Sequence, residues 1–178
     1  MDEYGGHWIT TFTGKKFHFL DPQPDEIDII DIAHSLSITC RFGGQCREFY
    51  SVAEHSIRVA DVVPKEYKLH ALLHDASEAY MPDLPRPMKA TLSEFKGIEI
   101  IILQAIFNKF LYSPDTQKPG SKLIKEADDT LLATEGRDLM ANMDDWDPLP
   151  KPLIEVIKPL SSKDAELLFH YRFRKYYE

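Results

Sequence analysis

The chain has 178 residues, of which 43% are hydrophobic and 28% charged, with a formal net charge of −8. That is enough for one globular domain with a full core and no staples. The acidic balance argues against general nucleic-acid binding, which needs clustered Lys and Arg, and no stretch approaches the roughly 20 apolar residues of a membrane span.

The N-terminal six residues carry no basic segment followed by an apolar one, so no signal peptide is expected. Cys40 and Cys46, with five residues between them, lack the tight spacing of a zinc or redox motif. They are expected to be reduced thiols in a cytoplasmic protein, with a disulfide as the alternative.

Residues 8–19 alternate β-branched and aromatic residues around Thr13-Gly14, which predicts a short β-hairpin. Pro22 and Pro24 break the chain. A helix is expected from there to about Thr39, with Ile29, Ile32, Ala33 and Leu36 on its apolar stripe. Arg41-Phe-Gly-Gly44 reads as a loop. Ser51 and Glu54 form a capping box for a helix that puts Val52, His55, Val59 and Val62 on one stripe and ends at Pro64.

The next helix is expected from about Lys65 to Tyr80. Its Ala71, His74, Asp75 and Glu78 would then share a face. Residues 81–89 form a proline-rich loop. Thr91 and Glu94 offer a second capping box for a helix to about Tyr112, and residues 113–120 read as a linker. A helix is expected over 121–143, with Ile124, Asp128, Leu131, Leu132 and Glu135 on one face. A breaker at 144–152 precedes a last helix over 162–177. The expected architecture is all-α: a single domain of about six helices around one core, with a small N-terminal hairpin.

His55, His74, Asp75 and Asp128 would each point inward from one of three helices. Burying them uncompensated is very costly, and one divalent cation satisfies all four. Two imidazoles and two carboxylates suit Zn, Mn, Fe, Co or Ni and leave positions open for water and substrate oxygens. His70 and His74 are four apart, as in a zinc pair. Ala71 occupies the place where the two-histidine protease motif needs its glutamate. Glu78, one turn beyond His74, is a candidate proton handler, and Asp83 lies further along. Arg41, Lys89 and Lys125 are candidate phosphate ligands, and Phe42 could pack on a sugar or base.

These elements together resemble the HD superfamily of metal-dependent phosphohydrolases. The resemblance rests on His55 in Ser-Val-Ala-Glu-His-Ser, on His74-Asp75 in Leu-Leu-His-Asp-Ala-Ser-Glu, and on Asp128 in Lys-Glu-Ala-Asp-Asp. Asp-Leu-Pro-Arg-Pro-Met-Lys extends it to bacterial HD-domain 5′-deoxynucleotidases. Trp-Ile-Thr-Thr, Asp-Ile-Ala-His and Arg-Phe-Gly-Gly extend it to phage deoxyadenosine triphosphate triphosphohydrolases.

The resemblance implies that His55, His74, Asp75 and Asp128 hold a divalent metal (Zn, Co or Mn, with Mg a candidate second ion). It implies that Glu78 and Asp83 act on the attacking water or leaving oxygen, and that Arg41, Lys89 and Lys125 bind phosphate. Phe42 would pack against deoxyribose, although the bacterial enzymes carry Trp there. A homo-oligomer, dimer or hexamer, is expected. The expected reaction is hydrolysis of a deoxynucleotide at its 5′ ester, with dATP first and dNMPs the alternative. The expected compartment is the cytoplasm, that of the host if the chain is phage-encoded. A non-catalytic nucleotide-sensing module is the rival from another class.

Overall fold

Hydrophobic periodicity makes most of this chain helical, and a computed structural model, which describes residues 6–111 and 121–178, bears that out. The expected linker at 113–120 lies outside the described residues. The fold is all-α with one small antiparallel hairpin. Strand β1 (Trp8–Thr10) pairs with β2 (Lys16–His18), placing Trp8 opposite His18 and Ile9 opposite Phe17. Phe17 is fully buried and stacks on Tyr80 at 3.8 Å between ring centroids. The hairpin tip is pinned by Asp31, which accepts bonds from the backbone N–H and hydroxyl of Thr13.

Helix α1 (Ile29–Ile38) begins later than expected, because the Asp28 carboxylate accepts from Ile30 N–H and fixes the start there. Ile32, Ala33 and Leu36 are buried as the stripe requires. Helix α2 (Val52–Val62) is capped by Ser51, whose hydroxyl accepts from Glu54 N–H. The reciprocal half of the capping box is replaced. The Glu54 carboxylate takes bonds from Arg58 and from Leu160 N–H, tying α2 to the C-terminal segment. Val62 faces solvent and Val63 turns inward instead, as the helix unwinds before Pro64.

The expected helix over 65–80 is broken. A 3-10 turn (Lys65–Tyr67) leads into α3 (Lys68–Leu72), and a second 3-10 turn (Ala76–Ala79) follows after a bend. Helix α4 (Arg86–Lys89) is a single turn inside the proline-rich loop. Helix α5 (Ser93–Phe110) starts without a side-chain cap, because the Thr91 hydroxyl donates backwards to Met88 C=O. Helix α6 (Ser121–Leu139) ends four residues before the expected boundary, and α7 (Ser162–Tyr177) matches its expected span.

Helix α7 packs on α1, α2 and α3, burying Ala165, Phe169 and Phe173 at one-turn spacing. These meet Leu72, Leu73, Ile102, Ile106 and Leu131 in the main core. Burying each such side chain contributes on the order of 1.5–3 kcal/mol. The C-terminal helix thus backs the two helices, α2 and α3, that lead into the site. No helix among the described residues is long and apolar enough to cross a membrane.

Candidate metal centre

The break after α3 aims the site. Leu73 N–H bonds to both Leu69 and His70 carbonyls, and the following bonds run three residues back: Ala76 to Leu73 and Glu78 to Asp75. Such tight turns rotate successive side chains further apart than an α-helix does. His74 Nδ1 donates to Ala71 C=O at 2.7 Å, closing the end of α3 with a side chain. A carbonyl can only accept, so Nδ1 carries a hydrogen here, and in the neutral ring the lone pair is then on Nε2.

His55, fully buried on α2, faces it with Nε2 atoms 3.4 Å apart. The other His55 nitrogen, Nδ1, lies 2.6 Å from Glu135 Oε1 on α6. Asp75 Oδ2 is 3.2 Å from His74 Nε2 and 3.6 Å from His55 Nε2. Asp128 Oδ1 reaches His55 Nε2 at 3.4 Å. One ligand atom from each of His55, His74 and Asp75 falls within 4.8 Å of the others, so this group could hold a metal ion.

The donor chemistry fits a cation. Both Nδ1 atoms are engaged away from the centre. With neutral rings, two imidazole lone pairs and two carboxylates therefore converge with no donor among themselves. Such an arrangement repels itself until a proton or a metal enters. A carboxylate bonded to the far nitrogen of an imidazole commonly orients a metal-binding histidine and raises its basicity. Burial and the Arg41 charge push the His55 imidazolium down, but Glu135 and Asp128 outweigh them and carry its pKa up to about 9. Burial opposes ionisation of Asp75 and Asp128, yet the two imidazoles and nearby Arg41 and Arg86 hold both below the ordinary carboxylate value.

Glu135 is the residue that the sequence pattern placed on the inner face of α6 without giving it a role. It is fully buried and also accepts from Tyr50 O–H at 2.9 Å and Arg41 Nη2 at 3.2 Å. Its signal was its position two turns after Asp128. Arg41 in turn reaches Asp75 Oδ2 at 3.6 Å, so it belongs to the site's scaffold as well as to its charge. Its Nε is buried without a hydrogen-bond partner among the described residues.

Glu78 is almost fully buried beside this group. Burial, Asp75 and Asp83 push its carboxyl well above the ordinary value, and Lys89 offsets them only in part. Its Oε1 accepts from Lys89 Nζ at 3.0 Å, while Oε2 is buried without a partner among the described residues. Lys89 also bonds Glu99 at 2.6 Å. Asp83 is raised by burial and by Asp75, against the lowering charge of Arg41.

The rim differs from expectation. Lys125 is half-exposed and pairs with Asp129 and Asp128. Arg86, from the proline-rich segment, spans Asp128 Oδ2 at 2.6 Å and Asp129 Oδ1 at 2.7 Å. It thereby holds the Asp128 oxygen that faces away from His55. Phe42 sits in a left-handed conformation (φ 57°), and Trp146 lies beside it at 6.2 Å between ring centroids. The 144–147 stretch, without an assigned role in the sequence, thus brings a second aromatic to the Arg41 turn. His70 points elsewhere, its ring edge-on to Phe107.

No family model matches the chain. It is 40% identical to the uncharacterized protein YfdR of Escherichia coli strain K12 over 172 residues, covering 93% of each chain. It is 33% identical to the uncharacterized protein RCAP_rcc00048 of Rhodobacter capsulatus over 131 residues, covering 68% of this chain and 67% of that one. The chain therefore belongs to the family that contains Escherichia coli YfdR.

Proposed function

We propose that the chain is a metal-dependent phosphohydrolase of the HD type that cleaves a deoxynucleotide at its 5′ ester, acting on dATP to give deoxyadenosine and triphosphate. The observation that carries this reading is the convergence of His55, His74, Asp75 and Asp128 with both imidazole Nδ1 atoms turned outward and bonded. These four residues would hold the cation, and their mixed nitrogen and oxygen donors favour Zn, Co or Mn. When bound, the cation supplies Lewis acidity to a phosphoryl oxygen and lowers the pKa of a water.

The chain's own groups supply the rest. Glu78 holds a proton at the buried carboxyl and passes it to the leaving 5′ oxygen. Lys89 fixes Glu78 from one side, and Asp83 shares the charge. Arg41, whose buried Nε has no hydrogen-bond partner among the described residues, offers a donor to charge developing on the phosphate. Phe42 and Trp146 flank the turn where a sugar or base would lie. The proposed protein assembles as a homo-oligomer and binds no nucleic acid strand.

One observation favours a second reading. Lys89 is already shared by Glu78 and Glu99, leaving fewer free cations for a chain of phosphates, as a monophosphate 5′-deoxynucleotidase would need. The deciding experiment incubates metal-reconstituted protein with each dNTP and dNMP and identifies products. Deoxyadenosine with tripolyphosphate supports the first reading, and deoxynucleoside with orthophosphate from dNMPs alone supports the second. Absence of nucleoside from every substrate rejects both and leaves a nucleotide-sensing module.

A further inference from the structure

Cys40 and Cys46 stand on either side of the turn that carries Arg41. Both are free thiols and half-buried, and their Sγ atoms lie 3.6 Å apart. The backbone at each end is anchored. Cys40 bridges Ser51, and Arg41 N–H donates to Tyr50 C=O at 2.9 Å. On the far side Arg47 N–H donates to Leu139 C=O at 2.8 Å. Between them Phe42, Gly43 and Gly44 are all left-handed, which folds the segment back and brings the two sulfurs together.

We propose that Cys40 and Cys46 are a redox modification site, at which exchange with a low-molecular-weight disulfide closes a reversible intrachain disulfide around the Arg41 turn. The sulfurs need to approach by only ~1.5 Å to reach bonding distance. In the exchange one protein thiolate attacks the small disulfide, forming a mixed disulfide and releasing one small thiol. The second protein thiolate attacks the protein sulfur of that bond and releases the other. Two electrons pass to the small disulfide, and the two protein thiol protons end on the released thiols. The closed ring clamps the turn whose Arg41 guanidinium meets Asp75 and Glu135. The site is independent of the substrate proposed above.

Burial and the neighbouring Cys40 sulfur hold the Cys46 thiol above its ordinary value, so exchange is slow near neutrality and is best run at pH of about 8.5. The test equilibrates the folded full chain with graded ratios of reduced to oxidised glutathione. Acid-quenched samples are then alkylated with a maleimide and weighed intact. The expected oxidised product is lighter by two hydrogens, takes no maleimide, carries no glutathione and returns to two maleimide sites after dithiothreitol. Half-oxidation is expected at a glutathione ratio at least about tenfold more reducing for the folded chain than for the chain in urea, because the fold pre-pairs the sulfurs.

Cys40→Ser and Cys46→Ser proteins should gain only a mixed glutathione adduct. The oxidised parent should melt a few degrees above its reduced form, with no such shift in either variant. Retention of two maleimide sites, a stable glutathione adduct on the parent, a disulfide between two chains, or the same midpoint in urea as in buffer each overturns the proposal.

Discussion

Glu135 Oε1 lies 2.6 Å from His55 Nδ1, and both side chains are fully buried. That contact sets which face of the imidazole is offered to the centre. The same carboxylate takes Arg41 and Tyr50. Glu135→Ala should destabilise the fold by about 3–5 kcal/mol, since it strands a buried guanidinium. Glu135→Gln keeps the shape and should lose less stability. It should still weaken metal affinity by about 10–100-fold. Denaturant melts and titration calorimetry with the divalent metal separate the two effects.

Glu78 is a different kind of residue: it touches Lys89 and the site but none of the candidate ligands by a hydrogen bond among those described. Glu78→Gln should lower turnover by about 10²–10⁴-fold while metal affinity stays within about twofold. Equal loss of both would make Glu78 a structural prop.

Much of the fold was legible. Turn and cap signals are local, so Thr13-Gly14 and Ser51 marked the hairpin and α2, and the helix expected over 162–177 is found as α7. The break at Leu73 was not legible, because residues 65–80 contain no glycine or proline. There the His74 side chain takes over a helix-end carbonyl three residues back, a local side-chain choice that helix propensity does not encode. Glu135 was placed on the right face yet given no role, since a single carboxylate on a helix usually meets solvent. Arg86 was hidden by its prolines: its partners, Asp128 and Asp129, lie 42 and 43 residues away in sequence.

Arg86 fixes the outer oxygen of Asp128, leaving Oδ1 towards His55. Arg86→Lys keeps a charge but cannot span both carboxylates. It should weaken metal binding by up to about tenfold, with little change in the melting of the metal-free protein. Unchanged or tighter binding would show that the guanidinium merely decorates the rim.

Asp28 caps α1 and pairs with Lys15 at 3.0 Å. Burial opposes its ionisation, but the Ile30 N–H and Lys15 win and hold its carboxyl below the ordinary 3.8. A depressed carboxylate contributes stability above its unfolded value and loses it as pH falls through the folded one. Asp28→Ala should therefore cost about 1 kcal/mol at neutral pH, and the gap from the parent should close below about pH 3.8. Urea melts across that range check it.

If His55, His74, Asp75 and Asp128 form one metal centre, metal stoichiometry will register it. Protein stripped with a chelator and dialysed against Zn, Co or Mn should take up at least one ion per chain. His74→Ala and Asp128→Ala should each lose that ion while keeping the helical circular dichroism of the parent. Parent protein that takes up no ion, or variants that bind as tightly as the parent, would rule out a metal centre at these four residues.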